Sequence, residues 1–148
     1  MSTRASIIIK DRGATVCKMY HHFDGYELGV GDTLHTVFNP YDAKEHRRTR
    51  KDLIVLLNKL ETIQPWRELE PANTNHGDTE YLYIVELDPC KITYYKGGLD
   101  KLTDERISGD YELQQQIAPK ELTGDILEAL RIEHYERLWH YKRTGERK

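Results

Sequence analysis

Between residues 21 and 32 the chain reads His21-His22-Phe23-Asp24-Gly25-Tyr26-Glu27-Leu28-Gly29-Val30-Gly31-Asp32, and side chains able to move protons or hold an anion crowd together there. Asp24 lies two residues from His22 at a tight turn, so its carboxylate could orient the imidazole and raise its proton affinity, as a general base or a pH-sensitive ligand group requires. Tyr26 adds a ring with a hydroxyl. Gly29-Val30-Gly31, at the expected opening of a helix, would offer N–H groups to an anion with the helix dipole behind them, although Asp32 would repel a phosphate. The plainer reading is structural: Asp24-Gly25 is a turn, His22 ends a strand, and the glycines permit a sharp departure and close packing.

No nucleophile elbow, phosphate loop, zinc-ligand set or dinucleotide fingerprint occurs in the chain. Cys17 and His21 share a strand face, but four residues of strand separate them by roughly 13 Å, too far for one ion. His134 and His140, six apart on a helix, also miss the spacing that brings two ligands together. The expectation is no metal and no cofactor.

With 148 residues, the chain has room for one domain with a real core. Hydrophobic residues make up 38% and charged residues 32%, the polar side of the globular range, which suggests a thin core with solvated helices or a partner over some surface. The longest apolar runs, Ile7 to Ile9 and Leu53 to Leu57, fall far short of the roughly 20 residues that span a bilayer. No membrane association is expected, and the start lacks the apolar stretch of a secretory signal. Cys17 and Cys90 then read as reduced thiols. A net charge of −3 makes a general nucleic-acid partner unfavourable. Locally, Lys44, Arg47, Arg48, Arg50 and Lys51 form a basic run that could meet a phosphate at the start of a helix, or simply solvate that helix.

The elements that would position these groups follow from periodicity. Ala5 to Lys10 and Ala14 to His22 read as a hairpin closed by Asp11-Arg12-Gly13. Val30, Leu34, Val37 and Phe38 fall at helical spacing, ended by Asn39-Pro40. A longer helix carries Leu53, Leu56, Leu57 and Leu60, its start capped by Asp42 with Glu45 or by Thr49 with Asp52. Residues 62 to 79, rich in Pro, Asn and Gly, read as a loop. Tyr81 to Leu87 and Ile92 to Lys96 form a second hairpin, with Asp88-Pro89-Cys90-Lys91 as a type I turn. From Thr123 a last helix places Leu127, Leu130, His134, Leu138 and Tyr141 on one face, with Gly145 at its end. The expected fold is α+β, a mainly antiparallel sheet of two hairpins with helices packed on one face, in a single domain over residues 1 to 148.

The start Met1-Ser2-Thr3-Arg4-Ala5-Ser6-Ile7, the short hairpin, the His22-x-Asp24-Gly25-Tyr26 and Gly29-Val30-Gly31 segments, and Glu80-Tyr81-Leu82-Tyr83-Ile84-Val85 together resemble a family of small proteins from bacteriophages and bacterial mobile elements. The likeness spans most of residues 1 to 96. Family members often carry Pro and then Glu after the Tyr, where this chain has Glu27 and Leu28. The resemblance implies a phage or mobile-element origin and a cytoplasmic setting in a bacterial host, and no particular activity.

These features point to a non-enzymatic accessory protein that binds a small polar or phosphorylated ligand, a nucleotide being one candidate. Its expected ligand-binding residues are His22, Asp24, Tyr26, Gly29, Gly31 and Arg47. One alternative is a hydrolase or transferase with His22 as base and Asp24 orienting it, Tyr26 or Arg47 stabilising charge. Another is a host-protein interaction module with an exposed aromatic surface; self-association is compatible with each. Ten tyrosines against two phenylalanines fit either ring stacking or packing across a sheet, where tyrosine is a good strand former. Tyr81, Tyr83, Tyr94 and Tyr95 lie in the second hairpin, while Tyr20, Tyr26, Trp66 and Trp139 are further candidates for ring contacts.

Overall fold

The computed structural model describes residues 3–40, 49–63, 67–70, 79–97 and 119–144. The first hairpin is β1 (Ala5–Asp11) and β2 (Ala14–His21), antiparallel from Ala5↔His21 to Asp11↔Ala14 with an irregularity at Ile9/Lys10. Arg12 and Gly13 both have positive φ, 53° and 84°, the backbone of a tight two-residue connection that matches strand twist. The second hairpin is β4 (Tyr81–Leu87) and β5 (Cys90–Lys96), in register from Tyr81↔Lys96 to Leu87↔Cys90. Its connection departs from the expected type I turn. The two turn residues are Asp88 and Pro89, joined by a cis peptide bond, and Cys90 already belongs to β5.

β1 and β4 pair in parallel, Ala5↔Tyr81 through Lys10↔Glu86, and join the hairpins into one sheet. Two short strands extend it. β3 (Arg67–Glu70) pairs with β2, and β6 (Lys120–Glu121) pairs with β5, giving the order β3-β2-β1-β4-β5-β6. Among the described strands only the β1–β4 junction is parallel, so the sheet is mainly antiparallel and the fold is α+β. β3 lies inside the stretch read as loop. It is four residues long, carries Arg67, Glu68 and Glu70, and lies at the sheet edge, where short charged strands are the rule.

The helices cover one face. A π-helical turn, Glu27–Gly31, runs directly into α1 (Asp32–Phe38), and Asn39 ends it in the left-handed conformation with φ 44°. α2 (Arg50–Ile63) starts as a Thr-x-x-Asp cap: Thr49 donates its backbone N–H and its hydroxyl to Asp52 Oδ2 at 2.8 and 2.9 Å. The alternative pair, Asp42 with Glu45, lies outside the described residues. α3 (Gly124–Thr144) is capped by Thr123, whose Oγ1 accepts the Ile126 N–H at 3.2 Å. Gly145 lies outside the described residues. Among the described residues, no helix is long and apolar enough to cross a membrane.

Alternation sorts the strand side chains between two buried layers. Ile7, Ile9, Met19, Tyr83, Val85 and Ile92 face Leu34, Phe38, Leu56, Leu60 and Leu127 from the helices. On the opposite face Ile8 and Leu82 are buried together with Ile84 and Tyr95 against them, and Ser6 Oγ lies 3.0 Å from Thr79 Oγ1. β1 and β4 are central and buried on both sides, which is why Ile7-Ile8-Ile9 and Tyr81 to Val85 are continuous apolar runs rather than alternating ones.

Candidate functional site

The segment after β2 is a backbone knot. Asp24 takes a positive φ of 54°, and Gly25 then passes hard over the start of β1, donating its N–H to Thr3 O at 2.9 Å. A Cβ on Gly25 would stand 2.9 Å from Ala5 Cβ, Arg4 C and Thr3 O, so only glycine fits this crossing. The Asp24 carbonyl accepts the Val30 N–H at 2.8 Å, and a Cβ on Gly29 would lie 2.0 Å from that same oxygen. Both glycines are therefore demanded by close approach of backbone to backbone.

That closure also decides what the helix start can offer. The N–H groups of Gly29 and Gly31 go to Tyr26 O at 3.0 and 3.4 Å, and that of Asp32 to the carbonyls of Glu27 and Gly29. The donors expected to cradle an anion at Gly29 and Gly31 are taken up within the turn. His22 and Asp24 are likewise engaged apart from each other. The His22 ring packs edge-on to Tyr20 with centroids 4.6 Å apart, and the Asp24 carboxylate accepts the Tyr26 hydroxyl at 3.2 Å. Arg47 lies outside the described residues, as does Trp66.

One residue on from Tyr26, Glu27 turns toward the sheet. Its Oε1 accepts the Tyr81 hydroxyl at 2.8 Å and its Oε2 the Tyr94 hydroxyl at 3.3 Å. Between those two tyrosines stands Tyr83, its ring stacked against both with centroids 6.0 and 5.8 Å away, and its hydroxyl donates to Gly25 O at 2.8 Å. The strand period places all three on the helix-covered face: Tyr81 and Tyr83 are two apart on β4, and Tyr94 is the cross-strand partner of Tyr83. Tyr95 falls on the other face.

Burial is the main reason that these phenols resist ionisation, and the Glu27 carboxylate adds to it. Tyr94 is pushed up to about 12, and Tyr81 and Tyr83 are also raised well above the ordinary phenol value. Tyr26 is also raised, by burial and then by Asp24. At neutral pH the hydroxyls are fixed donors. Those of Tyr81 and Tyr94 hold Glu27 as an oriented carboxylate rather than serving as bases.

This polar floor opens into a cleft of about 660 Å³ between the turn, the second hairpin and α3. Tyr26, Glu27, Leu28, Tyr81 and Lys96 form one wall; Leu130, Glu133, His134 and Arg137 of α3 form the other. Lys96 Nζ lies 5.6 Å from the centroid of the Tyr81 ring, within cation–π range. Arg137 donates to Glu133 one turn earlier. Aromatic surface, two cations, two carboxylates and an imidazole thus converge in a volume typical of small-molecule sites.

Among the described residues, Tyr26 is the one expected ligand-binding residue that lines this cleft. Glu27, Lys96 and the α3 residues were not expected. Tyr81, one of the second-hairpin tyrosines expected either to stack a ring or to pack across the sheet, also lines it, but the turn and α3 reach it only through tertiary contact. No protein-family model, curated protein or solved structure matches the chain.

Proposed function

We propose that the protein binds a small polar ring compound in the cleft between the 26–28 turn and α3, and that it does so without chemistry. The observation that carries this reading is the convergence of the Tyr26 and Tyr81 rings with Lys96 and Arg137 around the oriented Glu27 carboxylate. A ring fits against tyrosine, a carboxylate accepts its N–H or O–H groups, and the cations take an anionic substituent. Glu27 and Glu133 in the same walls would repel a heavily charged ligand. A nucleoside monophosphate therefore suits the cleft better than a triphosphate. The resemblance to phage and mobile-element proteins supports an accessory role in the cytoplasm of a bacterial host.

Calorimetric titration with nucleosides, nucleoside monophosphates and triphosphates tests the reading. The monophosphate should bind most tightly, and Tyr26→Ala and Lys96→Ala should each weaken it about tenfold or more while the fold persists. A stronger triphosphate signal, or identical affinity in both variants, would remove the cleft as the site.

A further inference from the structure

α3 carries a second face, on the side of the helix away from the cleft. Docking fixes which side that is. Leu127 is buried in the core, and Arg131 reaches Asp32 at the start of α1 at 2.6 Å. Beyond them Ile132, Tyr135 and Trp139 remain 53%, 74% and 58% exposed. Their spacing of i, i+3 and i+7 stacks them along one stripe, the pattern of a helix seam that packs against another helix.

The charge along α3 is equally uneven. Residues 124–136 carry four carboxylates (Asp125, Glu128, Glu133, Glu136) and one arginine, whereas residues 137–144 carry Arg137, Lys142 and Arg143 and no carboxylate. Helical spacing puts positions 125 and 128 at one end of the Ile132-Tyr135-Trp139 stripe and positions 142 and 143 at the other. The helix dipole favours acids in the first turn and bases in the last. It does not account for the carboxylates of the middle turns, nor for an isoleucine, a tyrosine and a tryptophan left in solvent between the two ends.

We propose that this stripe is the interface of a homodimer in which α3 packs antiparallel to α3 of a second copy. A twofold axis near Tyr135 would bring Ile132 of each copy towards the partner's Trp139, burying the apolar centre. It would also set the acidic position Glu128 opposite the basic positions 142 and 143 of the second copy, with Asp125 about one turn beyond them. A parallel pair would set acid on acid and base on base. Such an isologous contact closes on itself and stops at two copies. The cleft-lining residues Leu130, Glu133, His134 and Arg137 lie on the other side of the helix, so the dimer leaves the cleft open.

Sedimentation equilibrium of the full chain at about 100 μM, where a contact of micromolar Kd is mostly occupied, should give twice the 17.4 kDa monomer mass. Tyr135→Glu with Trp139→Glu should return it to the monomer mass with an unchanged circular dichroism spectrum. Two further variants test the charge pairing. Asp125→Lys with Glu128→Lys, and Lys142→Glu with Arg143→Glu, should each weaken dimerisation tenfold or more alone, and an equimolar mixture of the two should recover a dimer. A wild-type chain that stays monomeric, a dimer that survives the Tyr135/Trp139 change, or a mixture that fails to associate would each overturn the proposal. So would a stripe occupied solely by a different protein.

Discussion

Tyr83 donates its hydroxyl to the carbonyl of Gly25, 2.8 Å away and 58 residues earlier in the chain. This bond links the middle of β4 to the tightest point of the turn after β2, and both groups are buried. It is the seam between the hairpin core and the candidate site. Removing the hydroxyl would leave a buried carbonyl short of its donor, a cost of about 1–3 kcal/mol. Tyr83→Phe should therefore reduce the unfolding free energy in urea by that amount at unchanged slope, and it should weaken ligand binding by loosening the turn that carries Tyr26 and Glu27.

Gly29→Ala should be more damaging. The added methyl would have to occupy space 2.0 Å from the Asp24 carbonyl oxygen, which is itself held by the Val30 N–H. Neither group is a flexible side-chain end, so relief requires opening the π-helical turn. A loss of several kcal/mol, in the range reserved for overpacking and broken backbone networks, is expected in denaturant melts. A stability within about 0.5 kcal/mol of wild type would mean that the turn can reclose around a side chain.

α2 gives a graded test of packing. Leu60 and Leu56 are buried in the core, whereas Ile54 on the same helix is 71% exposed. Leu60→Ala should cost roughly 2–5 kcal/mol through the cavity left behind, and Ile54→Ala should stay within about 0.5 kcal/mol. Arg50→Ala breaks the 2.7 Å pair with Asp11, but that arginine is largely exposed and the loss should be about 1 kcal/mol or less.

Much of this fold is legible in the residues because its signals are local. Asp11 to Ala14 closes a hairpin, Leu53 to Leu60 repeats at helical spacing, and Thr49 with Asp52 announces the start of α2. The parallel β1–β4 pairing is not legible, since no short segment encodes which strands meet across some 70 residues, and β3 is too short and too charged to show a strand period. The candidate site suffers from the same cause. His22, Asp24 and Tyr26 suggested a site by being neighbours in sequence, but the turn directs Glu27 inward, and its partners Tyr81 and Tyr94 come within reach only through the sheet register. Gly29 and Gly31, which could serve either an anion or the conformation of the turn, spend their N–H groups on the Tyr26 carbonyl within the turn.

The tyrosine cluster should govern alkaline behaviour. Tyr81, Tyr83 and Tyr94 all have folded-state pKa values raised above the ordinary 10, chiefly by burial. In the unfolded chain they would ionise near 10, so the folded state gives up protons less readily than the unfolded one. Their contribution to stability is complete below pH 10 and is lost as pH rises above it. Tyrosinate absorbance should show a late-ionising set that appears together with loss of the folded circular dichroism signal. Tyr94→Phe should reduce the late set by one.

His35 should produce the opposite trend in acid. It is on α1, partly buried, and its pKa is lowered from 6.5, first by burial; Arg131 acts in the same direction and Asp32 against it. The unfolded chain takes up a proton near pH 6.5 that the folded chain accepts only at lower pH. The stability associated with a neutral His35 is therefore intact above 6.5 and declines as pH falls from there through the folded value. His35→Gln keeps a neutral polar side chain and cannot charge, so its unfolding free energy should change less between pH 7 and 5 than that of wild type. Arg131→Gln provides the matching control: it removes a cation that disfavours imidazolium, so the histidine should titrate at higher pH by NMR and the acid sensitivity of the fold should lessen. An identical pH dependence in wild type and His35→Gln would assign the acid response to other groups.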